Sequence, residues 1–378
     1  MKQVNEAFVT PALIKWTRET CHFNEVDASK KLGVTLKTLQ EWENGTKRPT
    51  IPQLYEIAKL YHRPIAVFYL SEVPKDFQPP REFRKLQESE DINNYPNFHF
   101  EIRRILDIRQ NFLDLKDDLN EVIPTFSPSL SSISDIKEAV NQIREILQIT
   151  TQDILDCTTT GNLFKMLKRK VELLNIFVLI SWSYYRINLS AFRGMAILFD
   201  TYPIISINSK DSVEAKIFTL IHELVHLLKG NSDIFSGHDN EDIFCNLVSA
   251  EFLMPEEELR AFCKSNHLSN QTMNLEKING ITSYFHVSRE AMIYRLNNLS
   301  IIDNHTKENI YAKLKESNQK KGKAFGRSSY EDKIKNSYSP IFLNTIYDAY
   351  SNNIIDAYDI SNILNIKYDF VKKIGSSL

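Results

Sequence analysis

The stretch FTLIHELVHLLKG, residues 218–230, places two histidines and a glutamate inside an otherwise apolar run. A buried imidazole or carboxylate is costly unless it has a partner, so these side chains need one. His222 and His226 are one helical turn apart, which projects both imidazoles from the same face. Glu223 directly follows His222. This is the HExxH spacing, in which two neutral imidazoles bind Zn²⁺ and the glutamate accepts a proton from the attacking water.

The helix that would carry this motif has clear end signals in the sequence. Ser212 can cap its start and Gly230 can end it. The alternative is a chance match with solvent-facing histidines. The apolar flanks of the motif disfavour this alternative, because they would bury the helix.

A catalytic zinc site needs three protein ligands and one open position. The next helical segment, NEDIFCNLVSAEFLMP, offers Glu241, Asp242 and Glu251. Asp242 and Glu251 are nine residues apart, so they point to opposite faces and cannot both serve. Asp242 shares its face with small or polar side chains. Glu251 lies among apolar ones, where a carboxylate needs a ligand or an ion-pair partner.

Residues 1–75 predict a series of short helices with strong boundary signals. Gly33 can end one helix, Thr35 can cap LKTLQEWENG, and Thr50 can cap IPQLYEIAKLYH. Two capped helices around a tight glycine turn are typical of a helix-turn-helix.

This segment also resembles a known family. LGVTLKTLQEWENGTKRPTIPQLYEIAKLYHRPIAVFYL is similar to the Cro/repressor (XRE-type) DNA-binding domain. The resemblance implies that the helix beginning at Thr35 enters the major groove of an operator. It leaves open whether the protein forms a homodimer. The implied base-reading residues are Lys37, Thr38 and Glu41, and the implied phosphate contacts are Lys47 and Arg48.

The charge of this region gives DNA binding limited support. Residues 1–85 carry 14 Lys and Arg and 10 Asp and Glu. Glu41 and Glu43 would bring negative charge to the phosphates, so a helical protein-interaction module is the alternative.

Three prolines within residues 73–85 predict a linker after this domain. Residues 96–173 have helical apolar spacing. The segments IFVLISW, GMAILFD and PIISIN then predict three short strands, which makes this region α+β. We expect a substrate strand to add to the sheet edge beside PIISINS.

The central region resembles a second family. INSKDSVEAKIFTLIHELVHLLKG followed by FCNLVSAEFLMP is similar to the ImmA/IrrE family of zinc metallopeptidases. These are gluzincin-like enzymes, some of which cleave a DNA-binding repressor. The resemblance implies a zincin-like domain in which His222 and His226 bind Zn²⁺ and Glu223 is the general base.

The third zinc ligand departs from the family pattern. The family places a Glu about four residues before the Asn of the CN pair, and this position holds Asp242, one methylene shorter. Asp242 is the first candidate, Glu251 the second and Glu241 the third. No spacing selects a second proton donor among the four candidates, His286, Tyr184, Tyr185 and Tyr202.

Residues 301–378 predict a charged helix, a basic linker at 318–333 and a small helical unit. IIDAYDISNILNIKYDFVKKI has the pattern of a short helix-turn-helix with Asp359 as a cap. It resembles the C-terminal segment of long ImmA/IrrE members. Because the surface there would be acidic as well as basic, packing or oligomerisation is favoured over DNA contact.

Composition limits the remaining possibilities. The chain has 378 residues and a net charge of −2, so there is no global attraction to nucleic acid or anionic membranes. The four cysteines are widely spaced, which favours reduced thiols. The N-terminus has no apolar signal segment, and no apolar run reaches the roughly 20 residues that span a bilayer. We therefore expect a cytoplasmic protein with no membrane partner.

The sequence thus predicts a mainly α fold with an α+β core. Its expected parts are a helix-turn-helix domain at 1–75, a metallopeptidase domain at 76–300 (lead-in 96–173, core 174–300) and a linker with a C-terminal helical unit at 301–378. The predicted function is a DNA-binding regulator whose zinc endopeptidase cleaves a repressor or another regulator, in stress response, mobile-element control or phage defence. The alternative is a non-proteolytic antitoxin or autorepressor that binds a toxin and its own operator. Asp242 favours the alternative and Glu223 favours the protease.

Overall fold

The computed structural model describes residues 5–74, 96–190, 192–231, 239–320, 334 and 337–375. The proline-rich segment from residue 75 and the basic segment from residue 321, both predicted as linkers, lie outside the described residues. The chain forms two compact units, which are 1–104 with 184–187, and 105–183 with 188–378. None of the described helices has both the length and the apolar character needed to cross a bilayer.

The first unit is helical. It contains α1 (Pro11–Glu19), α2 (Glu25–Leu32), α3 (Leu36–Glu43), α4 (Ile51–Leu60), a 3-10 turn (Ile65–Tyr69) and the beginning of α5 (Pro96–Asp118).

The second unit combines helices with a small sheet. Its lead-in helices are α6 (Ile136–Leu147), α7 (Thr151–Leu155) and α8 (Thr160–Glu172). The strands are β1 (Phe177–Ile180), β2 (Gly194–Ile197) and β3 (Ile204–Ile207). The following helices are α9 (Val213–Lys229), α10 (Asp239–Leu253), α11 (Glu256–Ser265), α12 (Leu275–Phe285), α13 (Arg289–Asn298), α14 (Asn304–Lys320), α15 (Pro340–Ser351), α16 (Ala357–Ile363) and α17 (Tyr368–Gly375).

The helix-turn-helix is α2 and α3, and its ends are those that the sequence predicts. Gly33 has φ of +67°, a left-handed conformation that ends α2. The Thr35 hydroxyl accepts a hydrogen bond from the Thr38 amide at 3.1 Å and caps α3. Leu39 and Trp42 are buried on the inner face of α3, which leaves the opposite face of this helix available to a partner.

The sheet has three strands, one from each predicted strand segment, in the order β1–β3–β2. β3 pairs with β1 in parallel and with β2 antiparallel, so both of its edges are used. The expectation that a substrate strand adds beside PIISINS is therefore wrong. Its failure has a simple cause, because the period of a short apolar strand does not say which neighbours it pairs with.

The sheet and α8 support the site-bearing helix α9. Most of α9 is buried, with Leu220, Leu224 and Leu227 in the apolar core that also contains Ile205 of β3. A helix fixed on several sides by packing holds its polar side chains in defined positions, as a catalytic site requires.

The predicted boundary near residue 300 does not separate two compact units. Ile310 and Leu314 of α14 are buried in the same core as Leu296 of α13. In the C-terminal helices, the cap of α16 is Asp356, whose carboxylate accepts from the Asp359 amide at 2.9 Å. Asp359 is the third residue of that helix, three positions after the cap, so its prediction as the cap is wrong.

Candidate metal centre and DNA-binding surface

Local sequence signals place the HExxH motif in the middle of α9. Ser212 accepts a hydrogen bond from the Ala215 amide at 3.2 Å, and Gly230 ends the helix with φ of +85°. Between these ends, His222 and His226 lie one turn apart on one face. Their Nε2 atoms are 3.1 Å apart, so both rings direct the same nitrogen toward a common point.

Helix α10 packs against α9 and brings a carboxylate to that point. Asp242 Oδ1 lies 3.2 Å from His226 Nε2. The ligand atoms of His222, His226 and Asp242 all lie within 4.8 Å of one another. In a tetrahedral zinc site with bonds near 2.0–2.1 Å, neighbouring ligand atoms are about 3.3 Å apart. The separations of 3.1 and 3.2 Å fit that spacing, and the donor set of two imidazoles and a carboxylate suits zinc.

The other two candidate carboxylates have different surroundings. Glu251 forms an ion pair with Arg295, and its Oε1 accepts from the Glu256 amide at 3.3 Å. These contacts satisfy the need for a partner that the sequence predicts for Glu251. Glu241 contacts Asn231, and its Oε1 is 3.8 Å from His226 Nδ1, on the side of the ring opposite Nε2. The structure therefore groups only Asp242 with the two histidines among the described residues.

Glu223 is held where the sheet meets α9. Glu223 is only 3% exposed. A methyl group at Gly194, the first residue of β2, would lie 2.6 Å from Glu223 Oε1 and 2.2 Å from Thr219 Cγ2. Both distances are too short for a real contact, so the glycine is required for this close approach. Sequence analysis missed Gly194, although a glycine at the start of a predicted strand is a signal for such an approach.

The recognition helix α3 presents the predicted base-reading residues at the surface. Lys37 is exposed, and Thr38 and Glu41 are partly exposed. The Thr38 hydroxyl lies 2.8 Å from that of Thr35, which fixes its orientation.

The negative charge of Glu43 is neutralised inside the first unit. Both carboxylate oxygens accept from the Arg18 guanidinium, at 2.7 and 2.9 Å. The two side chains are 7% and 6% exposed. The hydrogen bonds from Arg18 to Glu43 raise the pKa of the guanidinium above its ordinary value. The Glu43 carboxylate would therefore not repel DNA phosphates. Of the two glutamates that argue against DNA binding, only Glu41 remains.

Lys47 and Arg48 lie in the turn after α3, and both are exposed. The Lys47 amide donates to the Glu41 carbonyl at 3.1 Å, which fixes the turn. The Arg48 guanidinium lies 4.2 Å from the ring centroid of Phe8, a cation–π contact that limits its range of positions. The two cations are thus placed at the end of the recognition helix.

Comparison with protein families agrees with both parts of this description. Residues 14–68 match the family model for a helix-turn-helix, and residues 185–297 match the model for an IrrE N-terminal-like domain, Peptidase_M78. Neither a curated protein nor a solved structure matches the chain. The chain carries a helix-turn-helix domain followed by an IrrE N-terminal-like domain. Both families and their order are those that the sequence predicts.

A cavity of 560 Å³ opens beside the candidate metal ligands of the IrrE-like domain. Helix α13 forms one of its walls, which sequence analysis did not foresee. Because α13 follows the HExxH helix by some 60 residues, local patterns could not connect the two. The cavity-lining residues are Arg193, Gly194, Ala215, Phe218, Thr219, His222, Glu223, Asn246, Leu247, Ala250, Ser288, Glu290, Ala291, Tyr294, Arg295 and Asn298.

Among the described side chains, none of the predicted proton-donor candidates lines this cavity. His286 Nδ1 lies 3.2 Å from the Thr160 hydroxyl. Tyr202 is buried against the rings of Phe112 and Phe177. Tyr185 belongs to the first unit, and the side chain of Tyr184 lies outside the described residues. Tyr294, which is half exposed in the cavity, is the tyrosine that the structure adds to the site.

Proposed function

We propose that this protein is a DNA-bound regulator with a zinc-dependent endopeptidase, which cleaves a repressor or another regulatory protein. The observation that supports this most strongly is the position of Glu223. It directly follows the candidate ligand His222, and both side chains line an open cavity. A purely structural metal site has no need for a buried carboxylate next to an open cavity.

The donor set fits a catalytic zinc ion. His222 and His226 would supply neutral imidazoles, and Asp242 a carboxylate, which leaves one position for water or substrate. When bound, Zn²⁺ supplies Lewis-acid polarisation of a carbonyl and activation of water. The shorter side chain of Asp242 is compatible with this role, because α10 already places Oδ1 within 3.2 Å of His226 Nε2.

The protein's own groups account for the proton transfers. Glu223 accepts a proton from the attacking water as the water oxygen bonds to the carbonyl carbon of the substrate. When the peptide C–N bond breaks, Glu223 returns this proton to the leaving amine. Burial and the contact with Gly194 hold the carboxylate in one position, so little reorganisation is needed.

The free edge of β2 is suited to bind the substrate backbone. β2 pairs with β3 on one side, and within the described part of the chain no strand pairs with its other side. Arg193 and Gly194, at the beginning of β2, line the cavity. An extended peptide added along this edge would bring its carbonyl groups next to Glu223.

The helix-turn-helix would bring the peptidase domain to a DNA site. We propose that Lys37, Thr38 and Glu41 read bases of a palindromic operator, most simply in the promoter of the chain's own gene. Lys47 and Arg48 then contact phosphates. This part of the proposal is supported by the exposure of these side chains and by the ion pair that neutralises Glu43.

The test is Glu223→Gln in the full-length, zinc-loaded protein. The amide keeps the shape of the side chain and leaves the imidazoles in place, so zinc content and folding should be unchanged. Cleavage of cellular proteins, read as new N-termini by mass spectrometry, should fall by about 10²–10⁴-fold. If the variant produces the same new N-termini as the wild type, the protein is not a protease of this kind. An intact cellular phenotype in Glu223→Gln, together with its loss in Arg48→Ala, would instead support the antitoxin or autorepressor.

A further inference from the structure

The cavity beside Glu223 owes its width to small side chains. Three helices contribute one alanine each to its lining, Ala215 from α9, Ala250 from α10 and Ala291 from α13. Phe218 and Leu247 supply larger apolar walls between them. A methyl group at each of these three positions leaves room that a longer side chain would fill. The cavity is therefore a cleft whose size is set by alanines on three separate elements.

The two arginines of this cleft already have carboxylate partners. Arg295 lines one wall, forms an ion pair with Glu251, and donates from Nε to the Met254 carbonyl at 3.1 Å. Arg193 lies at the start of β2 with its side chain 59% exposed, and its Nη1 is 3.6 Å from Asp211 Oδ2. Glu290 is at the exposed rim. An acidic substrate group in the cleft would lose its hydration without gaining an unpaired cation, whereas an apolar group would gain from leaving water.

The cleft is continuous with the reacting groups. His222 and Glu223 line the same cavity as the three alanines, and so does the first residue of β2. A peptide backbone on the edge of β2 directs alternate side chains to opposite faces of the sheet. With a peptide bound there, one of the side chains next to the scissile bond would point toward the cleft, and the bond itself would lie beside Glu223.

We propose that the cleft selects a large apolar residue, of the size of Leu, Met or Phe, next to the scissile bond of the protein substrate, and that Ala250 and Ala291 set its upper size limit. This inference depends on the proposed peptidase function. It names the substrate class as a segment with an accessible large apolar side chain.

The experiment compares two Ala→Phe substitutions in the full-length, zinc-loaded protein. Ala291→Phe fills the cleft, and Ala261→Phe, at an exposed position of α11 outside the cleft, is the matched control. The probe is a mixture of peptides from a lysine-specific digest of an unrelated proteome, and mass spectrometry reads the residues at each cut. Wild type and Ala261→Phe should cut next to Leu, Met or Phe. In Ala291→Phe, the ratio of cuts next to these residues to cuts next to Gly, Ala or Ser should fall by at least about tenfold.

A second variant and a binding measurement complete the test. Ala250→Leu should produce the same shift and replaces Ala291→Phe if that variant does not fold. Zinc-loaded Glu223→Gln is used to capture peptides from the same mixture. Captured peptides rich in Leu, Met and Phe, with no cleavage by the wild type, would support the cleft assignment and overturn the peptidase. Cleavage or capture without a preference for large apolar residues, or an unchanged preference in both cleft variants, would overturn the inference and leave the peptidase standing.

Discussion

We propose that Asp242 replaces the glutamate ligand that the family pattern predicts, because its supporting helix lies close to the two histidines. The family pattern leads us to expect a glutamate at this position, and an aspartate has one methylene less to reach the metal. Helix α10 compensates by its packing against α9, which places Oδ1 3.2 Å from His226 Nε2. The carboxylate is 37% exposed, so solvent and substrate can approach the site from its side.

We predict different consequences for the two carboxylates of α10. Asp242→Ala removes a ligand, so zinc affinity should fall by more than about tenfold, since even outer-shell partners commonly account for 10–100-fold. Glu251→Ala should keep the zinc affinity, but it leaves Arg295 buried without its partner and should cost about 3–5 kcal/mol of unfolding free energy. Competition with a chelating dye measures the first effect and urea denaturation the second. The reverse pattern would make Glu251 the ligand.

Gly194 should be needed for activity and not for metal binding. Gly194→Ala places a methyl group 2.6 Å from Glu223 Oε1, so the carboxylate must move away from its position. We expect a fall of about 10²-fold or more in cleavage, because a displacement near 1 Å in a catalytic group can cost that much. The zinc content should be unchanged.

Gly280→Ala is the matched control for this prediction. No atom lies within 4 Å of the added methyl group, and the position is inside α12. The variant should keep full activity and gain up to about 1 kcal/mol of stability, since alanine favours a helix interior. Equal activity in both variants would show that Gly194 does not position Glu223.

At the scale of elements, a buried ion pair connects α1 to the recognition helix. Arg18 lies on α1 and Glu43 at the end of α3, and both side chains are almost fully buried. Arg18 also donates to the Phe23 carbonyl at 2.9 Å, so the guanidinium fixes the segment that leads into α2. The orientation of α3 therefore depends on a residue outside the helix-turn-helix itself.

Glu43→Ala should accordingly destabilise the first unit by about 1.5–3 kcal/mol, because the buried guanidinium loses its two short hydrogen bonds. Of its contacts with carboxylates, it keeps only the longer ones with Glu19 and Glu25, at 3.7 and 3.8 Å. Glu41→Ala, on the same helix but partly exposed, should change stability by less than about 0.5 kcal/mol. Hydrogen exchange of the amides in residues 11–60 of the full chain measures both. Similar protection in the two variants would contradict the structural role of the pair.

The elements also show what the sequence could and could not predict. The end of α2, the beginnings of α3 and α4, and both ends of α9 were predicted because cap residues and glycines act on their nearest neighbours. The order of the strands and the contribution of α13 to the cleft depend on contacts between distant segments, which no local period records. The choice among Asp242, Glu251 and Glu241 needed the packing of α10 on α9, since spacing alone offered all three.

For the whole molecule, the charge balance conceals a difference between its parts. The net charge is −2 over 378 residues, yet residues 1–85 have a positive excess of four, from 14 basic and 10 acidic side chains. The DNA-binding candidates belong to one compact unit, and the metal-binding residues with Glu223 belong to the other. DNA binding and cleavage should therefore be separable by mutation.

We predict that DNA binding weakens steeply with salt and that Lys47 and Arg48 each account for part of this dependence. Each phosphate contact releases counter-ions, so Lys47→Ala or Arg48→Ala should lower the slope of log affinity against log salt by about 0.9. Lys59→Ala, at an exposed position near the end of α4, should leave the slope unchanged. Glu223→Gln should also bind DNA like the wild type, because it alters only the peptidase site. Fluorescence anisotropy with an operator fragment at several salt concentrations gives the slopes, and equal slopes for Arg48→Ala and Lys59→Ala would place the DNA contact elsewhere.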